Sequence, residues 1–191
     1  MYAALSDYET AFQCVYEALS VDTELYAVAN DRSISDDCDA IGLVHEGLGE
    51  YASALEYYDK SLEIRTAIYG VESNHSDIAT SYDNLGMVCC SLGEYTSALE
   101  YCNKSLEMSK AIYGIEINHT DIAISYNNIG LVYYNLGEYV SALEYYNKSL
   151  EMRKAIYGGE SNHPDIAMSY HNLGFVCCSL GKYTSALVYY N

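Results

Sequence analysis

The chain has no tryptophan, two phenylalanines and a single proline among its 191 residues. Positive charge is also scarce: nine Lys and Arg stand against 27 Asp and Glu, a net charge of −18. Each scarcity excludes something. One proline and 13 glycines argue against a disordered chain and against a turn-rich β protein. The shortage of Lys and Arg opposes nucleic-acid binding, which needs clustered cations, and docking on anionic membranes. No window approaches 18 apolar residues, so no membrane insertion is expected. The start, Met1-Tyr2-Ala3-Ala4-Leu5-Ser6-Asp7, has neither the basic residues nor the apolar run of a signal peptide. Seven cysteines are an odd number, and Cys89-Cys90 and Cys177-Cys178 are adjacent. That is not a secreted disulfide framework, and a reduced, cytoplasmic setting is expected.

What is present is a repeat. Residues 75–118 and 119–162 agree at 31 of 44 positions without a gap. The expected organisation is a partial repeat at 1–30, repeats at 31–74, 75–118 and 119–162, and a truncated repeat at 163–191, together one solenoid domain. Half the residues are apolar, enough for a continuous core between stacked units. Tyr supplies 23 of the 25 aromatics and suits half-buried positions.

Each block reads as two helices. Ile122, Ala123, Tyr126, Ile129, Gly130 and Tyr133 recur at steps of three and four, one face of a helix A. Leu136-Gly137 ends it, glycine taking the left-handed C′ conformation. Tyr139, Ala142, Leu143, Tyr146, Ser149 and Leu150 then mark a longer helix B. The entry Asn118-His119-Thr120-Asp121 offers capping side chains and a first-turn acid. The cap is His, Ser or Thr; in the last block Pro164 belongs at the first helical position. Glu56–Lys60, Glu100–Lys104 and Glu144–Lys148 form i,i+4 pairs on the solvated face. Residues 5–19 match a helix B whose helix A is missing, and the last block stops within its own. The chain therefore reads as a segment of a longer array or as a truncated gene product.

Patterns that carry chemistry find no support. Gly47-Leu48-Gly49 imitates a dinucleotide motif but follows a helix, not a strand. Asp37-Cys38-Asp39 begins like a calcium loop, whose twelfth position would be Leu48 rather than Glu. His75, His119 and His163 recur once per block. Stacked helices lie about 8–10 Å apart, whereas metal ligands sit about 2 Å from one ion. No catalytic residue, metal site or cofactor is expected, and the chain is read as a non-enzyme.

Within each block Tyr126, Ile129, Gly130, Tyr133, Gly137, Tyr139, Ala142, Tyr146 and Ser149 stand where a tetratricopeptide repeat places its aromatic, leucine, small and aromatic residues. The 44-residue unit, with its His-Pro-Asp-like entry and long helix B, is similar to the repeats of kinesin light chains and nephrocystin-type proteins. The resemblance implies an all-α fold, a right-handed superhelical solenoid of antiparallel helix pairs whose A helices line the concave side. Carried over by position, the inward residues are Asp83, Met87, Cys90 and Ser91, then Asn127, Leu131, Tyr134 and Asn135, then His171, Phe175, Cys178 and Ser179. In the first block they are Asp39, Leu43, Glu46 and Gly47.

Leu43, Met87, Leu131 and Phe175 thus form an apolar stripe flanked by short polar residues and free of Lys or Arg. This disfavours a cationic clamp for a peptide carboxylate and suits a neutral or basic peptide, whose backbone Asn127 and Asn135 can bond. The expected function is a protein-interaction scaffold or adaptor. The alternatives are a spacer that self-associates end to end, and a regulatory segment of a larger signalling protein.

Overall fold

The computed structural model describes residues 32–115, 117–159 and 162–190. The lone helix B expected within 1–30 lies outside them. Eight helices and no strand occur among the described residues: α1 (Arg32–Leu48), α2 (Tyr51–Tyr69), α3 (Ser76–Leu92), α4 (Tyr95–Tyr113), α5 (Thr120–Asn135), α6 (Tyr139–Tyr157), α7 (Pro164–Ser179) and α8 (Tyr183–Tyr190). The fold is an all-α helical repeat. Odd-numbered helices are the A helices and even-numbered ones the B helices. Each helix packs on the next, and α3 also touches α5.

The chain reverses between A and B over two or three residues. Gly49, Gly93, Gly137 and Gly181 all have φ between 71° and 80°, a left-handed conformation that costs other residues a steric penalty. The residue after the glycine closes the turn: Glu94 N–H donates to the Cys89 carbonyl at 2.8 Å. These bonds occupy carbonyls that the helix end would otherwise leave unpaired.

Between blocks the histidine is the cap. His75 Nδ1 accepts from the Asp77 N–H at 3.1 Å, and His119 and His163 repeat the bond with Asp121 and Asp165 at 3.3 Å. Each imidazole also stacks on the last tyrosine of the preceding B helix. His119 lies 3.4 Å from Tyr113, and Tyr113 Oη donates to Asp121 at 2.8 Å. The recurrence of histidine therefore has a structural cause. It caps one helix and seals it against the previous one.

The core repeats with the chain. Ile41, Leu85, Ile129 and Leu173 are each 0 % exposed, at intervals of 44 residues. Val88, Val132 and Val176 form a second buried row and Ala54, Ala98, Ala142 and Ala186 a third. Buried cysteines fill the same layer. Burial pushes the Cys89 thiol up to about 11, so it packs as a small neutral group.

The A–B crossing is close because one residue lacks a side chain. A Cβ on Gly130 would lie 2.8 Å from Tyr146 Cδ1, and Tyr146 is itself only 3 % exposed. Gly130→Ala should therefore destabilise the fold by about 1–2 kcal/mol, overpacking outweighing the gain in helix propensity. Thermal unfolding checks this; an unchanged or raised midpoint would contradict the packing described.

On the outer face, Glu100–Lys104 and Glu144–Lys148 pair at 2.9 and 2.7 Å as expected. All three lysines also lie over a tyrosine ring, Lys60 at 4.5 Å from Tyr57, Lys104 at 5.4 Å from Tyr101 and Lys148 at 4.7 Å from Tyr145. No helix among the described residues is long and apolar enough to cross a membrane.

Candidate functional site

The residues nominated by position all lie on A helices, and the structure shows what each does there. A ladder of side-chain bonds joins consecutive A helices at a spacing of 45 residues. Asn128 Nδ2 donates to Asp83 at 3.3 Å, and Asn172 Nδ2 donates to Asn127 Oδ1 at 2.9 Å. Asn135 Nδ2 donates to Cys90 Sγ at 3.1 Å, and Tyr134 Oη meets Ser179 Oγ at 3.1 Å. Asn127 and Asn135 therefore each already hold a neighbouring helix. Cys90 is 5 % exposed beneath Asn135, so it supports the face rather than forming its surface. The partners Asn128 and Asn172 were missed by the sequence reading. A column of asparagine one residue after the nominated position was the signal that could have found them.

Between the rungs the A helices part into two clefts. The larger, about 350 Å³, lies between α5 and α7. Leu131, Tyr134, Phe175 and Val176 form its apolar wall, and Asn135, His171 and Asn172 supply polar groups. Tyr146 of α6 closes its floor. Phe175 is 51 % exposed although it packs against Tyr134 at 5.2 Å. His171 stacks over Phe175 at 6.4 Å. Five nominated residues thus come together here: Leu131, Tyr134, Asn135, His171 and Phe175.

The smaller cleft, about 190 Å³, lies between α3 and α5. It takes in the nominated Asp83 and Met87, with Thr80, Asn84, Asp121 and Ile124 around them. Asp83 accepts from Ser105 Oγ at 2.8 Å and from Ser125 Oγ at 3.3 Å, besides Asn128. Burial still pushes its carboxyl up to about 6, against these three hydrogen bonds. Asn127 and Cys178 line neither cleft. Leu43, at the other end of the stripe, is 63 % exposed.

Chemically, this face offers apolar walls, amides, hydroxyls and carboxylates. Neither cleft includes a Lys or Arg side chain. Such a surface can hold a side chain or an extended segment.

The tetratricopeptide repeat family model matches residues 39–111, 77–155 and 121–191. The chain belongs to that family, whose repeats build protein–protein interaction scaffolds. Its architecture is similar to that of BtubC (BKLC) from P. vanneervenii. That protein is 25 % identical with a TM-score of 0.77, and the match covers 96 % of this chain and 70 % of BtubC. A kinesin light chain-type protein of Podosopora anserina, built from nearly identical TPR-like repeats, shares the fold at 16 % identity. Its TM-score is 0.72, with 98 % of this chain and 86 % of that one covered. A Rap protein complexed with Competence and Sporulation Factor shares it at 17 % identity and a TM-score of 0.74, covering 96 % of this chain and 48 % of Rap. No curated protein matches the sequence.

Proposed function

We propose that the A-helix face is the partner-binding surface of a non-catalytic scaffold or adaptor, and that a peptide or partner segment lies in the α5–α7 cleft. The observation that carries this is the cleft itself. An apolar wall of Leu131, Tyr134 and Phe175 stands beside amides on two helices already spaced to admit a chain. The apolar wall supplies affinity and the amides fix the backbone of an extended segment. The acidic balance of the chain, net −18, favours a neutral or basic partner. The Rap protein of similar fold, complexed with Competence and Sporulation Factor, supports a binding role. A cytoplasmic location is consistent with the cysteine usage.

Leu131→Ala with Tyr134→Ala should reduce partner capture at least tenfold, the expected loss when two central anchors are truncated. Far-UV circular dichroism should stay unchanged. Pull-downs quantified by mass spectrometry provide the comparison. Capture profiles equal to the parent protein's would defeat the proposal.

A second reading, end-to-end self-association, is favoured by α8. There Tyr190 is 46 % exposed, whereas Tyr146, its counterpart one repeat earlier, is 3 % exposed and packs with Ile166 and Leu173 of the following helix, so an adjoining repeat would cover it. Sedimentation velocity over a wide concentration range separates the two. A single monomeric species throughout would eliminate this reading and leave the first untouched.

A further inference from the structure

At two repeat junctions a buried arginine ties a B helix to the A helix that follows it. Arg65 of α2 and Arg153 of α6 are each 4 % exposed. Arg65 Nη1 donates to Ser81 Oγ at 2.8 Å and to the Asp77 carbonyl at 3.2 Å. Arg153 Nη1 donates to Ser169 Oγ at 2.8 Å and to the Asp165 carbonyl at 2.9 Å. In the first junction the guanidinium also meets Asp39 at 2.7 Å.

The junction between them has no such arginine. The residue 44 positions on from Arg65 and 44 before Arg153 is Ser109. It is 1 % exposed, and its hydroxyl has no hydrogen-bond partner among the described residues. It lines the α3–α5 cleft, which lies where the long side chain would run. The acceptors for that side chain are still present but for one, Thr80 standing in the place of Asp36. Ser125 and the Asp121 carbonyl stand in the places of Ser81 and the Asp77 carbonyl, and Asp83 in the place of Asp39. Asp83 has no Lys, Arg or His nitrogen within 4.0 Å among the described residues. The middle junction therefore keeps three of the four acceptors that Arg65 uses, with the arginine removed and a cleft in its stead.

We infer that the α3–α5 cleft is a socket for the arginine side chain of a partner segment, its guanidinium bridging Asp83 and Ser125 as Arg65 bridges Asp39 and Ser81. The chemistry selects arginine over lysine, because a planar fork pairs a carboxylate and a hydroxyl together where an ammonium is a single point. Met87 and Ile124 give apolar walls for the alkyl stem. Free arginine is disfavoured as the occupant. Its α-carboxylate would enter beside Asp121, on a chain of net charge −18. An arginine within a peptide brings no such charge. The socket deepens the partner-binding reading and rests on it, since a segment seated on the A-helix face is what would deliver the side chain.

The test is an NMR titration of the full chain with a blocked Gly-Arg-Gly peptide, its citrulline twin, and free arginine. The arginine peptide should shift the Asp83, Asn84 and Asn128 resonances saturably, with the citrulline peptide and free arginine at least roughly tenfold weaker. Ser109→Arg, which fills the socket from within, and Asp83→Asn should each abolish the shifts. Equal shifts from the citrulline peptide, shifts that survive in Ser109→Arg, tighter binding of free arginine, or no shift at all would each overturn the inference. The Leu131→Ala, Tyr134→Ala variant should still bind the arginine peptide. Loss of partner capture there thus tests the α5–α7 cleft without touching the socket.

Discussion

Arg65→Met is expected to lower stability by about 3–5 kcal/mol, the cost of removing one member of a buried pair. Arg65 has 5 % of its side chain exposed and Asp39 19 %. Removing the guanidinium leaves Asp39 half-buried without its cation, and takes one donor each from Ser81 and the Asp77 carbonyl. Asp36, which also meets Arg65 at 2.9 Å, is 56 % exposed and contributes little. Arg65→Met combined with Asp39→Leu should recover most of the loss, because apolar replacement of both partners removes the uncompensated charge. Arg65→Lys should fall between, keeping the charge but losing the fork. In a repeat array the damage stays local. Urea unfolding read by amide exchange should show α1 and α2 opening first. A loss below about 1 kcal/mol would mean that the arginine is not the tie between these helices.

Asp83→Asn is expected to act in the opposite direction, raising stability by about 1–2 kcal/mol at pH 7–8. The carboxyl is pushed up to about 6 from an ordinary 3.8, with burial as the leading cause. Between these two values the folded chain binds a proton that the unfolded chain does not. Stability contributed by this group therefore falls as pH rises through about 6. Below about pH 4 both states are protonated, and the variant should lose its advantage there. The asparagine keeps an oxygen for Ser105 and Ser125, and Asn128 can turn its amide to suit. The quantity to measure is the difference in melting temperature between parent and variant from pH 4 to 8. It cancels the general effect of neutralising the other carboxylates. A difference independent of pH, or a destabilised variant at pH 8, would show that Asp83 carries no buried charge.

How much of this could be read in the sequence follows from where the information sits. The fold was legible because each 44-residue block states it again. Ile129 and Leu173 mark the core row, Gly137 the turn, and Gly130 and Ala142 the crossing, all by spacing along one helix. The apolar stripe through Leu131 and Phe175 was legible for the same reason. What escaped was tertiary. Asn128 and Asn172 look like ordinary polar residues of an amphipathic helix, yet they are the rungs between A helices. Arg65 and Arg153 look like solvated helix B residues, and their burial depends on the helix of the next repeat. The mismatch at Ser109 shows only when its column is set beside that of Asp39, Asp83 and Asn127. The first junction then carries acid and arginine, the second an acid without arginine, and the third an arginine opposite an amide. The choice of histidine over serine or threonine as cap also needed the structure, because it depends on Tyr113 stacking beneath it.

The most direct measurement is to locate a bound peptide on the folded chain. A peptide selected from a random display library against the whole protein would be titrated into isotope-labelled protein, and the perturbed resonances mapped. The shifts are expected on α5 and α7, centred on Leu131, Tyr134, His171 and Phe175, and reaching Asp83 and Asn128 when the peptide carries an arginine. Shifts confined to the outer face of the B helices, around Glu144, Lys148 and Glu151, would show that partners are held elsewhere.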